Sequence, residues 1–204
     1  MRDTFVDLIR HGEPRGGTMI RGIAADHPLS ELGWLQMREA VGDAAPWNQI
    51  VSSPLARCRE FAAELAGRHR LPLMVEPELH EISMGRWEGR RHREIARSEP
   101  EAFINFYRDP ALHRPPGGET LEALVARVGH VYDRLVEHYR GRHLLISAHA
   151  GVIRGILGHL LKAEPRHWYR MRIDFAGLCR VRHDRFGAGI QYVNARRLRD
   201  LPTD

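Results

Sequence analysis

The sequence is poor in cysteine, nearly devoid of lysine and modest in aromatic residues. Cys58 and Cys179 are the two cysteines of 204 residues. Two cannot build a disulfide framework, so both are expected as free thiols of a reducing, cytoplasmic protein. Lys162 is the lone lysine among 31 basic residues. The arginines are spread along the chain and interleaved with 26 acidic residues, for a net charge of +5. No long block of like charge occurs, so a polyanion-binding tail is excluded and nucleic acid is not an expected partner. Long apolar runs are also absent. The stretch His143 to Leu161 is broken by Arg154 and by His143, His149 and His159, so no membrane partner is expected. Met1 to Gly12 carry Arg2, Asp3, Asp7 and Arg10, which argues against a signal-peptide core there. Despite 13 histidines, the chain has no His-Glu-x-x-His and no paired cysteines. A resident metal is therefore not expected, and chelation should leave any activity intact.

What is present is an ordinary globular composition, 43% hydrophobic and 28% charged. A chain of this length can bury about 70% of its unfolded surface in one core. Residues 1–204 therefore read as one domain. Short β-rich runs at Thr4–Ile9, Gln49–Ser52 and His143–Ser147 alternate with helical periodicity. Helices are predicted from a Ser30 cap to about Val41, from a Ser53-Pro54 start to about Arg68, through Leu121–Tyr139, and from about Val152 to Leu161. Strands near Met171–Phe175, Leu178–His183 and Ile190–Asn194 would complete an antiparallel edge. Between about 88 and 116 the pattern changes to two short polar helices, Arg91–Arg97 and Glu101–Tyr107, ending at Pro110, Pro115 and Pro116. This stretch reads as a small inserted helical cap. The expected fold class is α/β: a three-layer sandwich, with a mostly parallel central sheet and helices on both faces.

Three motifs hold equivalent places. Arg10-His11-Gly12 follows the first strand, Ser53-Pro54-Leu55-Ala56-Arg57 the second, and His149-Ala150-Gly151 the third. Ligands of open α/β sheets bind beyond the carboxyl ends of the strands. If these strands are parallel neighbours, Arg10, His11, Arg57 and His149 meet on one rim. Helix starts would add N–H donors and a positive dipole end. Each residue alone is better read as a rim histidine, a solvated arginine or a turn glycine. Together they describe a dianion site, most naturally for phosphate.

Leu8-Ile9-Arg10-His11-Gly12-Glu13 resembles the signature of the histidine phosphatase superfamily, the phosphoglycerate-mutase-like group. Later motifs follow in that family's order. Ser53-Pro54-Leu55-Ala56-Arg57 resembles its second arginine motif. Leu79-His80-Glu81-Ile82 with Gly85-Arg86-Trp87-Glu88-Gly89 resembles its acid motif. Gly117-Gly118-Glu119-Thr120 is similar to its Gly-Glu-Ser segment, and Ser147-Ala148-His149-Ala150-Gly151 to its second histidine motif.

The resemblance implies a cofactor-independent phosphomonoesterase whose partner is a small phosphorylated substrate. His11 would be the nucleophile and must be neutral, with its second ring nitrogen fixed by a backbone acceptor. Arg10, Arg57 and His149 would hold the non-bridging oxygens. A unit charge pair at 4 Å is worth about 4 kcal/mol at an effective dielectric of 20. Glu81 would act as general acid and base, a role that typically adds about 10² to 10⁴ in rate. Where the family often has Asn, this chain has Gly17, so that phosphate contact is either missing or supplied by Arg21 or Gly22. Ala150 would lie at the helix start facing the ligand. The acid motif looks like that of the phosphatase branch. Asp26-His27-Pro28-Leu29-Ser30 with Gly33-Trp34 and Gln36-Met37 is similar to α-ribazole phosphatase-like members, of cobalamin biosynthesis. A phosphoglycerate-type mutase, or an inactive phosphate-binding module, are the alternatives. Arg86, Arg90, Arg91, His92 and Arg93 are placed either at a substrate tail or on a solvated helix start.

Overall fold

The computed structural model describes residues 2–201. Six strands form one sheet: β1 (Thr4–Arg10), β2 (Gln49–Ser52), β3 (Leu73–Val75), β4 (His143–Ala148), β5 (Leu178–Asp184) and β6 (Gly187–Ala195). Their order is β3-β2-β4-β1-β5-β6. The first four run parallel, and β5 and β6 form an antiparallel edge. Side chains of a strand alternate between faces, and the core divides accordingly. Ile9, Ile50 and Leu145 point to one apolar cluster, with Met37 and Phe61 from the helices α1 (Glu31–Val41) and α2 (Ala56–His69). Leu8, Val51, Leu144 and Ile146 point to the other, with Leu124, Val128, Ile153 and Ile156 from α5 (Leu121–His138) and α6 (Ala150–Leu161). The fold is the expected α/β sandwich with helices on both faces. No helix among the described residues is long and apolar enough to cross a membrane.

The register levels the strand ends that matter. Arg10 pairs with Ala148, and Ser52 with Ser147. His11 N donates to Ala148 O at 3.1 Å and Ser53 N to Ser147 O at 2.9 Å. The residues after β1, β2 and β4 therefore leave the sheet at one rim. Gly12 lets the chain after β1 press on α1, because a Cβ there would lie 2.9 Å from Gly33 Cα.

Two short helices, α3 (His92–Ser98) and α4 (Pro100–Arg108), lie where polar helices were predicted. Three predictions are corrected. Ser53-Pro54 does not open α2; the helix begins at Ala56, whose N–H donates to Asp26 Oδ1 at 2.7 Å. The Asp26 carboxylate takes the capping position, and the Ser53 hydroxyl is free to turn toward His149. Residues 171–175 form no strand. Their carbonyls accept from arginine side chains instead: Arg154 Nε reaches Met171 O at 2.9 Å and Arg10 Nη1 reaches Ile173 O at 2.7 Å. The three-residue strand β3 was not foreseen, since its run after Pro72 is too short to show periodicity.

Candidate active site

The rim carries a cavity of about 160 Å³ lined by Arg10, His11, Arg21, Arg57, Glu81, His92 and Phe175, among others. A second cavity of about 240 Å³ shares Arg10, Arg21, Glu81 and His92 with it and continues toward Tyr107, Ala150, Arg154 and Tyr169.

His11 is 4% exposed. Its Nδ1 lies 2.7 Å from Gly12 O. A carbonyl only accepts, so Nδ1 carries the hydrogen and the lone pair sits on Nε2. Burial, then the charges of Arg10 and Arg57, hold the His11 imidazolium pKa well below its ordinary value. The ring is thus neutral at pH 7, the state a nitrogen nucleophile needs.

Arg10 and Arg57 are held from behind. Arg10 stacks 4.1 Å from the Phe175 ring centre, and burial lowers its pKa to about 10, still charged at neutral pH. Arg57 donates to Gly22 O at 3.0 Å and Ala25 O at 3.3 Å, and lies 3.8 Å from Asp26. Arg21 Nη2 donates at 2.7 Å to both Arg15 O and Gly17 O, closing the loop that carries Gly17. Nε of Arg10, Arg21 and Arg57 is buried without a hydrogen-bond partner among the described residues. Buried donors without a partner are costly, and all three residues line the cavity beside His11.

Glu81 is 8% exposed. Its Oε1 accepts from Ile82 N at 2.9 Å and its Oε2 from Gly151 N at 3.4 Å. The loop that carries it is tied by Arg127, which donates to His80 O at 3.0 Å and pairs with both oxygens of Glu119 at 2.7 and 2.9 Å.

His149 is brought against His11, with ring centres 5.2 Å apart. The sequence reading places it among the groups that hold the non-bridging oxygens. His149 is 0% exposed and lines neither cavity. Its Nε2 lies 2.7 Å from Ser53 Oγ. Burial, then Arg57, keeps it uncharged at pH 7. The Gly22 carbonyl accepts from Arg57. Ala150 does line the wider cavity. The two helix starts are occupied as well: α2 holds the Asp26 carboxylate and α6 that of Glu81.

Of the basic residues at the start of α3, His92 lines both cavities, whereas Arg90 pairs with Glu99. Sequence reasoning missed Arg154, Tyr169 and Phe175. Arg154 had a readable signal, since it lies one helical turn beyond Ala150 and shares its face of α6. No group of three or more histidine, cysteine, aspartate or glutamate side chains converges as a metal site among the described residues.

Comparison with known proteins agrees with this geometry. The family model described as histidine phosphatase superfamily (branch 1) matches residues 6–196. A bifunctional protein of Mycobacterium tuberculosis is 33% identical over 175 residues, 84% of this chain but 48% of its own length. The chain thus spans about half the length of the first curated relatives it matches. The adenosylcobalamin/alpha-ribazole phosphatase of Salmonella typhimurium is 28% identical over 172 residues, 82% of this chain and 84% of that protein. The structure of mycobacterial glucosyl-3-phosphoglycerate phosphatase superposes with a TM-score of 0.83 at 27% identity, covering 95% of this chain and 100% of that one. With matching motifs, fold and family model, the chain belongs to the histidine phosphatase superfamily (branch 1).

Proposed function

We propose that the protein is a phosphomonoesterase that works through a phosphohistidine on His11. The observation that carries this reading is the neutral His11, Nδ1 tied to Gly12 O, in a cavity lined by Arg10, Arg21 and Arg57. Nε2 attacks phosphorus, the ester P–O bond breaks, and Glu81 gives its proton to the leaving oxygen. Glu81 then takes a proton from water, the resulting hydroxide attacks phosphorus, and the P–N bond breaks to restore neutral His11 and free phosphate. Arg10, Arg57 and Arg21 balance the charge of the non-bridging oxygens throughout. His149 acts from behind as a positioning residue, holding the His11 ring in place beside the Ser53 hydroxyl. Residues 88–116 serve as a cap that shapes the cavity mouth on the single domain.

Two classes of substrate match the named relatives. One is α-ribazole 5′-phosphate, the first compound to try; the other is a phosphorylated glyceric acid derivative. Buried free thiols at Cys58 and Cys179 support a reducing, cytoplasmic setting. Incubation with a labelled aryl phosphate should trap an acid-labile, base-stable phosphoprotein. His11→Ala should abolish both label and turnover, and full activity in that variant would end the proposal. Product analysis with 3-phosphoglycerate separates hydrolysis from mutase transfer.

A further inference from the structure

The second cavity bears on the leaving group, and its charge is unbalanced. The ionisable residues lining the two joined cavities include four arginines, Arg10, Arg21, Arg57 and Arg154, but a single carboxylate, Glu81. Arg154 stands apart from the other three, since it lines the wider cavity and not the one that holds His11. Its Nε is tied to Met171 O at 2.9 Å, and its guanidinium lies 4.9 Å from the Tyr169 ring centre. No carboxylate of the described residues pairs with it, and neither terminal nitrogen has a hydrogen-bond partner there. A half-buried guanidinium that is oriented but unpaired is prepared for an external anion.

Arg154 is fixed to the same short segment as Arg10. Arg10 and Arg154 are anchored on carbonyls two residues apart, Ile173 and Met171. Two residues of extended chain span at most roughly 7 Å. The aromatic side chains nearby pack against one another and against Arg154. Phe106 packs edge-on to Tyr107 and to Tyr169, with centres 5.1 Å apart in both cases, and Arg154 covers Tyr169. The rings brace the guanidinium.

We propose that Arg154 is the specificity-determining residue of this site. Its substrates are phosphomonoesters whose alcohol carries a second anionic group, a carboxylate or a phosphate, a few bonds from the ester oxygen. The inference rests on the phosphatase reading above, and between the two candidate classes there it favours the acidic one over the neutral ribazole.

The test compares kcat/KM for matched substrates with the purified full chain. 3-Phosphoglycerate is set against glycerol 1-phosphate, which has the same carbon skeleton without the carboxylate. 1,3-Propanediol bisphosphate is set against its monophosphate, and phenyl phosphate supplies an aromatic leaving group. The wild type should favour at least one dianionic-plus-acid substrate over its neutral twin by about tenfold or more, the size of one charge-assisted hydrogen bond. Which pair shows the preference identifies carboxylate or phosphate as the second group. Arg154→Gln should remove most of that ratio and Arg154→Lys should recover part of it. Equal kcat/KM within each pair, or a ratio unmoved in both folded variants, overturns the assignment while leaving the phosphatase reading intact. Absence of turnover with every compound, phenyl phosphate included, overturns the phosphatase reading and the assignment with it.

Discussion

Gly151→Ala should separate the acid–base role of Glu81 from the rest of the site. Gly151 is the second residue of α6, and a Cβ there would overlap Glu81 Oε1, while lying 2.8 Å from Ile82 Cγ2 and 3.3 Å from Glu81 Cδ. Carbon contacts relax at roughly 3.5–4 Å, so the carboxylate must move by on the order of 1 Å. It would then weaken its bonds from Ile82 N and Gly151 N. The helix itself gains up to about 1 kcal/mol from alanine over glycine, so the fold is expected to survive. A displacement of about 1 Å in a catalytic group costs on the order of 100-fold, within the roughly 10² to 10⁴ that general acid catalysis supplies. Steady-state kcat on an alkyl phosphate should therefore fall by about 100-fold or more. The loss on p-nitrophenyl phosphate should be much smaller, because that phenolate leaves without a proton. Circular dichroism and thermal melting check that the variant is folded. An equal loss on both substrates, or an unchanged rate on the alkyl phosphate, would refute the placement of Glu81 as acid.

Two further outcomes follow from buried charge. Asp7 is fully buried, accepts from Trp47 Nε1 at 2.8 Å, and pairs with Arg180 at 2.7 and 3.0 Å. Breaking a buried pair from one side costs about 3–5 kcal/mol. Arg180→Met should lower the melting temperature by roughly 6–20 °C, and a shift below about 2 °C would contradict the network's role. The second outcome concerns pH. Burial depresses the folded pKa of His11 and His149, so the unfolded chain binds protons more readily than the folded one below about pH 6.5. The stability that these neutral imidazoles confer is complete above that pH and is lost as pH falls toward the folded pKa. Urea unfolding at pH 7.5 and 5.5 should show a larger acid loss for the wild type than for His11→Asn, by up to about 1.4 kcal/mol per pH unit. Equal losses would show that His11 is not held neutral.

Much of the molecule was legible before folding. β1, β2 and β4 announce themselves as short β-rich runs, and α1 by its Ser30 cap, whose side chain accepts from Gly33 N at 3.0 Å. The candidate site was legible for a related reason. In a parallel sheet each chemical motif sits directly after a strand, so Arg10-His11, Arg57 and His149 could be assigned to one rim from order alone. Residues 171–175 misled because their alternation resembles a strand, while the hydrogen bonds that decide the matter come from Arg10 and Arg154, far away in the chain.

Local pattern and motif order thus determined the fold class, the rim and the residues that gather there, because strand periodicity and parallel topology are short-range properties. Only the tertiary structure decided what each residue faces. Asp26 takes the cap that Ser53 was expected to provide, His149 packs against His11 and the Ser53 hydroxyl, and Arg154 comes to line the wider cavity. These outcomes depend on competition among distant donors and acceptors for the same few partners, and such competition is settled only when the whole chain has closed around the sheet.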